Sequence, residues 1–151
     1  MLPRLIVKPA FTVIGLSLAG DRLNGHVDAL WDRLSSRYPE LPHADPDVGF
    51  GVHTWRDAQH QYLAGLALRR PGPVPLGMAS LDLKANLYAV FPHLGRMDAL
   101  DGTLAAIFHD WLPDSGYRRA GDYYFEYFDD RFNPGSSNSL LFIYLPVARQ
   151  G

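Results

Sequence analysis

Apolar positions change their spacing several times along the chain, and each change marks a new element. Residues 5–7 and 11–18 are β-branched or bulky and apolar. The Lys8-Pro9-Ala10 link between them predicts one broken strand or two short ones. Val27, Leu30, Trp31, Leu34 and Tyr38 then recur at three- and four-residue spacing, a helix face closed by Pro39 and Pro42. Val48, Phe50, Val52 and Thr54 alternate with Gly49, Gly51, His53 and Trp55, which is the period of a strand. After a polar turn Tyr62, Ala64, Leu66 and Leu68 alternate again, predicting a hairpin. Residues 69–75 carry Pro71, Pro73 and Pro75 and read as a stiff linker.

Beyond the linker the order returns. Residues 78–83 and 87–91 are strand-like, and Leu100, Leu104, Ile107, Phe108 and Trp111 form a second helical face closed by Pro113 and Gly116. Residues 123–128 predict a strand, Asn133-Pro134-Gly135-Ser136 a turn, and 140–147 a last strand. Phe11 and Asn86 are 75 positions apart, Val48 and Asp122 74, Gln61 and Ser139 78. The near-constant offset predicts a duplicated strand–helix–strand–strand unit. The expected fold class is therefore α+β, one domain over 1–151 with half-repeats of about 1–72 and 73–151 related by a pseudo-two-fold axis. A seam between such halves is a favoured ligand site.

Composition narrows the function. A chain of 151 residues, 47% hydrophobic and 20% charged, has the makeup of a soluble globular domain. Its net charge of −2 lacks the basic footprint of a nucleic-acid binder, so no direct nucleic-acid contact is expected. With no membrane-length apolar run and no leader pattern, no membrane association and a cytoplasmic location are expected. No cysteine is present, which removes disulfides, thiolate metal sites and thiol nucleophiles together. None of His26, His43, His53, His60, His93 and His109 forms a metal-binding i,i+4 pair, so they read as scattered surface or partly buried rings and no metal is predicted. The Gly15-Leu16-Ser17-Leu18-Ala19-Gly20 run lacks the final glycine and the following helix of a nucleophile elbow and reads as plain strand.

The informative segment is Asp122-Tyr123-Tyr124-Phe125-Glu126-Tyr127-Phe128-Asp129-Asp130. Alternation puts Tyr124, Glu126 and Phe128 on one face and Tyr123, Phe125 and Tyr127 on the other. Aromatic rings on both faces predict a strand covered on both sides, with a carboxylate in its middle. Burying an unpaired ion costs several kcal/mol or more, roughly. Glu126 must therefore pair with a base such as Arg118 or Arg119, be protonated, face water on an edge strand, or face a cavity kept for a guest. A carboxylate walled by aromatic rings suits a lipophilic cation, which gains Coulomb attraction and cation–π contact together.

Several runs carry a family resemblance. Tyr88-Ala89-Val90-Phe91-Pro92-His93-Leu94-Gly95, Trp111-Leu112-Pro113-Asp114-Ser115-Gly116-Tyr117, Phe125-Glu126 and Ile143-Tyr144-Leu145-Pro146-Val147 follow one another in the second half. In that order they resemble motifs of GyrI-like small-molecule-binding domains, the effector-binding part of AraC-type and multidrug-responsive MerR-type regulators. The opening Lys8-Pro9-Ala10-Phe11-Thr12-Val13-Ile14-Gly15 is similar to the family's first strand. The resemblance implies tandem strand–helix–strand–strand units and a cleft whose floor carries a glutamate, at Glu126 here. It departs at Phe128, where the family has a tyrosine, which removes a phenolic hydrogen bond.

These readings combine into expectations. The chain is expected to bind a lipophilic small molecule, cationic or aromatic, as a monomer or homodimer and without a cofactor; no histidine has a motif supporting haem. Glu126 is the expected anionic anchor, with Tyr124 and Phe128 on its face, Tyr144 added by motif match, and Tyr88 and Trp55 as further ligand-binding candidates. No helix-turn-helix precedes Phe11, so a stand-alone sensor, or one acting through a regulator partner, is expected. The resemblance implies two alternatives. One is a hydrolase that opens cyclopropane-bearing alkylating toxins, with Glu126 as general base and Tyr144 polarising the substrate. The other is an inhibitor that binds DNA gyrase.

Overall fold

The computed structural model describes residues 2–151; Met1, the first position of the expected 1–151 unit, lies outside them. The elements run β1 (Arg4–Lys8), β2 (Phe11–Ala19), α1 (Val27–Ser35), β3 (Gly49–Arg56), β4 (Gln59–Ala67), β5 (Ala79–Leu83) and β6 (Asn86–Leu94). They continue with α2 (Leu100–Ala105), β7 (Tyr117–Arg119), β8 (Tyr123–Phe128) and β9 (Leu140–Arg149). Between α2 and β7 the helix widens into π turns over Ala106–Trp111 and ends on one further turn, α3 (Leu112–Asp114). The predicted periodicity placed each long element. Strand β7 was not predicted: three residues are too short to show alternation, and it exists because Tyr117–Arg119 finds the end of β9 to pair with.

All the strands join one antiparallel sheet in the order β1-β6-β9-β8-β3-β4-β2-β5, with β7 also on β9. Read outward from the centre, each side offers the same succession. Strands β3 and β8 lie in the middle, then β4 and β9, then β2 and β6, and last β5 and β1. Their starts match: Arg4 and Ala79 are 75 positions apart, as are Phe11 and Asn86, while Gly49 and Tyr123 are 74 apart. The outermost strands are exchanged, because β1 pairs with β6 of the second half and β5 with β2 of the first. The β3–β4 connection is a two-residue turn at Asp57 and Ala58, both with positive φ (51° and 64°) as a type I′ hairpin requires. Its counterpart, the β8–β9 connection, is a longer loop carrying Phe132 and Pro134.

Alternation along the strands sorts the core onto two sides of the sheet. Helix α1 buries Leu30 and Leu34 against Ile14, Tyr62, Ala64 and Leu66, and the α2 region buries Leu100 and Ile107 against Phe91, Leu141, Ile143 and Leu145. The opposite side packs Val13, Phe50, Val52, Tyr88, Val90 and Phe125 together with partly buried Phe11, Tyr127 and Tyr144. Fully burying each of these large side chains contributes roughly 1.5–3 kcal/mol. Two histidines are structural. His93 is buried: its Nε2–H donates to the Arg96 carbonyl at 2.8 Å, leaving Nδ1 to accept from Thr103 Oγ1 at 2.7 Å, which ties β6 to α2. His43 sits 3.0 Å from the Pro73 carbonyl and anchors the linker. Among the described residues no helix is long and apolar enough to cross a membrane.

Candidate functional site

The two central strands meet under the gap between the helices. In the β3–β8 register Gly49 faces Phe128, Gly51 faces Glu126 and His53 faces Tyr124. In the β3–β4 register His53 faces Tyr62 and Trp55 faces His60. One side of three adjacent strands thus collects a carboxylate, two imidazoles and several aromatic rings. Glu126 is 6% exposed and lines a cavity of about 850 Å³. The walls come from α1 (Asp28, Trp31, Asp32), from Met97 and Leu100 at the start of the second helix, and from Phe132 and Pro134 of the β8–β9 loop.

Glycine at position 51 makes room for the acid. A Cβ there would stand 2.5 Å from both Glu126 Oε1 and the Tyr62 hydroxyl, closer than side chains tolerate. Tyr62 is the acid's hydrogen-bond donor, its hydroxyl lying 3.4 Å from Glu126 Oε1. That hydroxyl in turn accepts from Trp31 Nε1–H at 3.0 Å. Burial first, and the neighbouring Glu126 charge second, push the Tyr62 phenol well above its usual value, so it remains a donor throughout the physiological range. On the other side His53 Nε2 lies 3.5 Å from Glu126 Oε2, without the alignment of a hydrogen bond. His53 Nδ1 is 2.9 Å from His60 Nε2.

No lysine or arginine lines this cavity or makes an ion pair with Glu126 among the described residues. Arg119, one of the two bases named as pairing candidates, lays its guanidinium over the rings of Trp55 and Phe108, 5.8 and 5.2 Å away. The other, Arg118, is exposed. The cavity's remaining charged residues, Asp28, Asp32 and Asp47, are all acidic. This arrangement favours a positively charged guest on both counts.

The structure separates the other site candidates. Phe128 lines the cavity, edge-on to Trp31 with ring centroids 5.7 Å apart. Tyr124 and Trp55 share the face of Glu126 but lie beyond the cavity walls, in a stack where Tyr124 covers His53 at 4.7 Å and Trp55 covers His60 at 4.6 Å. Tyr144 and Tyr88 belong to the opposite side of the sheet. Tyr144 pairs with Phe125 in register and stacks on its ring at 4.7 Å. Tyr88 is fully buried, with its hydroxyl 2.7 Å from that of Tyr123. The motif match that added Tyr144 carries no strand parity, and parity places both Tyr144 and Tyr88 away from the acid. Trp31, His53 and Tyr62 were not among the expected site residues. The hairpin turn at 57–58 fixes the register that brings His53 and Tyr62 together, so counting outward from it would have found them.

The comparisons with known proteins decide the family. A model of the GyrI-like small molecule binding domain matches residues 1–148. The chain belongs to the GyrI-like family. This GyrI-like chain is 31% identical over 147 residues to the transcriptional regulator BrlR of Pseudomonas aeruginosa, covering 95% of the chain and 54% of BrlR. It thus spans about half the length of that curated relative. Among solved structures its fold is shared by SAV2435 bound to tetraphenylphosphonium (TM-score 0.79, 16% identity, 98% of this chain and 94% of that one). It is also shared by the EcmrR C-terminal domain (TM-score 0.74, 13% identity, 99% and 100% covered). A hydrolase from Listeria innocua has the fold more distantly (TM-score 0.59, 14% identity, 97% and 92% covered). A GyrI-like fold of the mostly-β α+β class, related to regulator effector domains, is therefore established for this chain, while these fold likenesses carry no activity with them.

Proposed function

We propose that the chain, working as one unit built from its two halves, binds a lipophilic cation, with Glu126 as the anionic anchor. The observation that carries this is a buried carboxylate on the floor of an 850 Å³ cavity with no lysine or arginine set against it among the described residues. Leaving such a charge unpaired costs several kcal/mol, roughly, and a cationic guest removes that cost on entering. Trp31, Tyr62 and Phe128 supply ring surface around the acid, and each ring set against a desolvated cation adds about 0.5–2 kcal/mol. A neutral aromatic guest keeps the ring contacts and loses the charge term.

SAV2435 holds tetraphenylphosphonium on the same fold, which makes that ion the natural probe. Because Trp31 lines the cavity, titration followed by tryptophan fluorescence should saturate at one ion per chain, and the Trp31→Phe variant should lose most of the signal. Absence of saturable binding contradicts the proposal. The hydrolytic reading keeps only one of its two groups, since Tyr144 lies across the sheet from Glu126. The phenol within reach of the acid is Tyr62.

A further inference from the structure

The two histidines beside the anchor are not used by cation binding itself, and their geometry gives them a role. His53 side chain and Glu126 side chain are 12% and 8% exposed, so the pair is almost out of water. His53 Nδ1 and His60 Nε2 are 2.9 Å apart, and such a contact needs one nitrogen to donate and the other to accept. If His53 donated, its Nε2 would present a bare lone pair to the Glu126 carboxylate 3.5 Å away. The tautomer consistent with both neighbours has His60 Nε2–H donating to His53 Nδ1, with His53 Nε2–H directed at the acid. His53 Nε2 has no hydrogen-bond partner, so the ring is held at the acid's edge without being spent on it.

We propose that this site exchanges a proton for its cationic ligand, with His53 as the resident counter-ion of Glu126 and His60 as the proton's way in and out. The inference rests on the cation-binding reading of the same cavity. A proton from water arrives at His60 Nδ1, the His60 Nε2 proton passes to His53 Nδ1, and His53 becomes an imidazolium facing the carboxylate. His60 is left neutral, protonated at Nδ1, with its bare Nε2 accepting from His53. A fixed cation entering beside Glu126 repels that imidazolium, and the same steps run backwards to return one proton to water. Charge at the acid is conserved: one positive charge leaves as another arrives.

Several elements bring acidic groups and rings to His53. Strand β4 presents His60 and Tyr62 to it, and β8 presents Tyr124 and Glu126. Asp28 and Asp32 of α1 and Asp47 of the following segment share its cavity, while the second helix contributes only Met97 and Leu100. The Arg119 guanidinium, on β7, lies over Trp55. Burial first, and His53 second, hold His60 below its ordinary value, so the outer ring passes the proton on rather than keeping it.

Calorimetric titration of the whole chain with tetraphenylphosphonium, in buffers of different ionisation enthalpy, counts the protons released. The expectation is proton release on binding that is greater near pH 5.5 than near pH 8, with affinity weaker at the lower pH. In His53→Gln the release should vanish and the two affinities should converge. Binding without proton release at either pH overturns the exchange and leaves the cation-binding reading standing. Release that persists undiminished in His53→Gln also overturns it, since the proton then sits on Glu126 itself. No binding at any pH overturns the reading of the cavity and the exchange with it.

Discussion

The two sides of strand β8 are built from the same kinds of residue and do opposite things. Phe125, facing one way, is fully buried among Phe11, Phe50, Tyr88 and Tyr144, with ring centroids between 4.7 and 5.7 Å. Glu126, facing the other way, has Gly51 opposite it and a cavity before it. On the first side each of these rings meets another ring. On the second the glycine removes a side chain, and the helices α1 and α2 stand apart instead of closing over the gap. Aromatic content therefore does not by itself make a ligand site. What distinguishes the two sides is a buried carboxylate with no lysine or arginine against it among the described residues and a position where volume has been taken away.

Filling or emptying either side separates packing from binding. The largest effect is expected at Phe125→Ala, which should cost about 3–5 kcal/mol of stability in denaturant unfolding. Its effect on ligand affinity at temperatures where the variant is folded should be far smaller. A loss of affinity as large as the loss of stability would mean that the two sides do not act separately.

Gly51→Ala comes next. The new methyl meets the ends of Glu126 and Tyr62 at 2.5 Å and must push the acid out of place. Overpacking of this kind costs about 1–3 kcal/mol, and tetraphenylphosphonium affinity should fall alongside stability, as measured by fluorescence titration. Unchanged affinity would show that the acid's position is not fixed by this contact.

A smaller effect is expected from pH. Burial lowers the His60 value from 6.5, so the folded chain takes up this proton less readily than the unfolded chain. Its contribution to stability is whole above pH 6.5 and declines as pH falls from there through the lowered folded value. Thermal unfolding across that range should show His60→Gln losing part of the decline. Identical pH profiles for the two proteins would contradict the assignment.

Smallest of all should be Tyr144→Phe and Tyr88→Phe, expected to change affinity less than about twofold, under roughly 0.4 kcal/mol, because both hydroxyls lie across the sheet from the acid. A tenfold loss at either would restore the motif-based placement.

The elements were legible in the sequence because each is carried by a long periodic run, and Glu126 was legible because a charge in the middle of an aromatic strand stands out. The face it shares with Phe128 followed from parity alone. Tyr144, added by motif match, lies on the other side of the sheet because a motif names a residue without saying which side of its strand it occupies, and Tyr88 lies there with it. His53 and Tyr62 escaped because they lie on two different strands, and only the register of the β3–β4 hairpin brings them together. The space at Gly51 is a property of three strands at once, visible only when Glu126 and Tyr62 are both in place.

The most direct measurement compares Glu126→Gln with the unmodified chain, titrating tetraphenylphosphonium and a neutral triaryl compound of similar size into each. An anchoring carboxylate predicts that the variant loses at least about 1 kcal/mol for the cation, roughly fivefold, and almost nothing for the neutral compound. Equal losses for both compounds, or none for the cation, would contradict it.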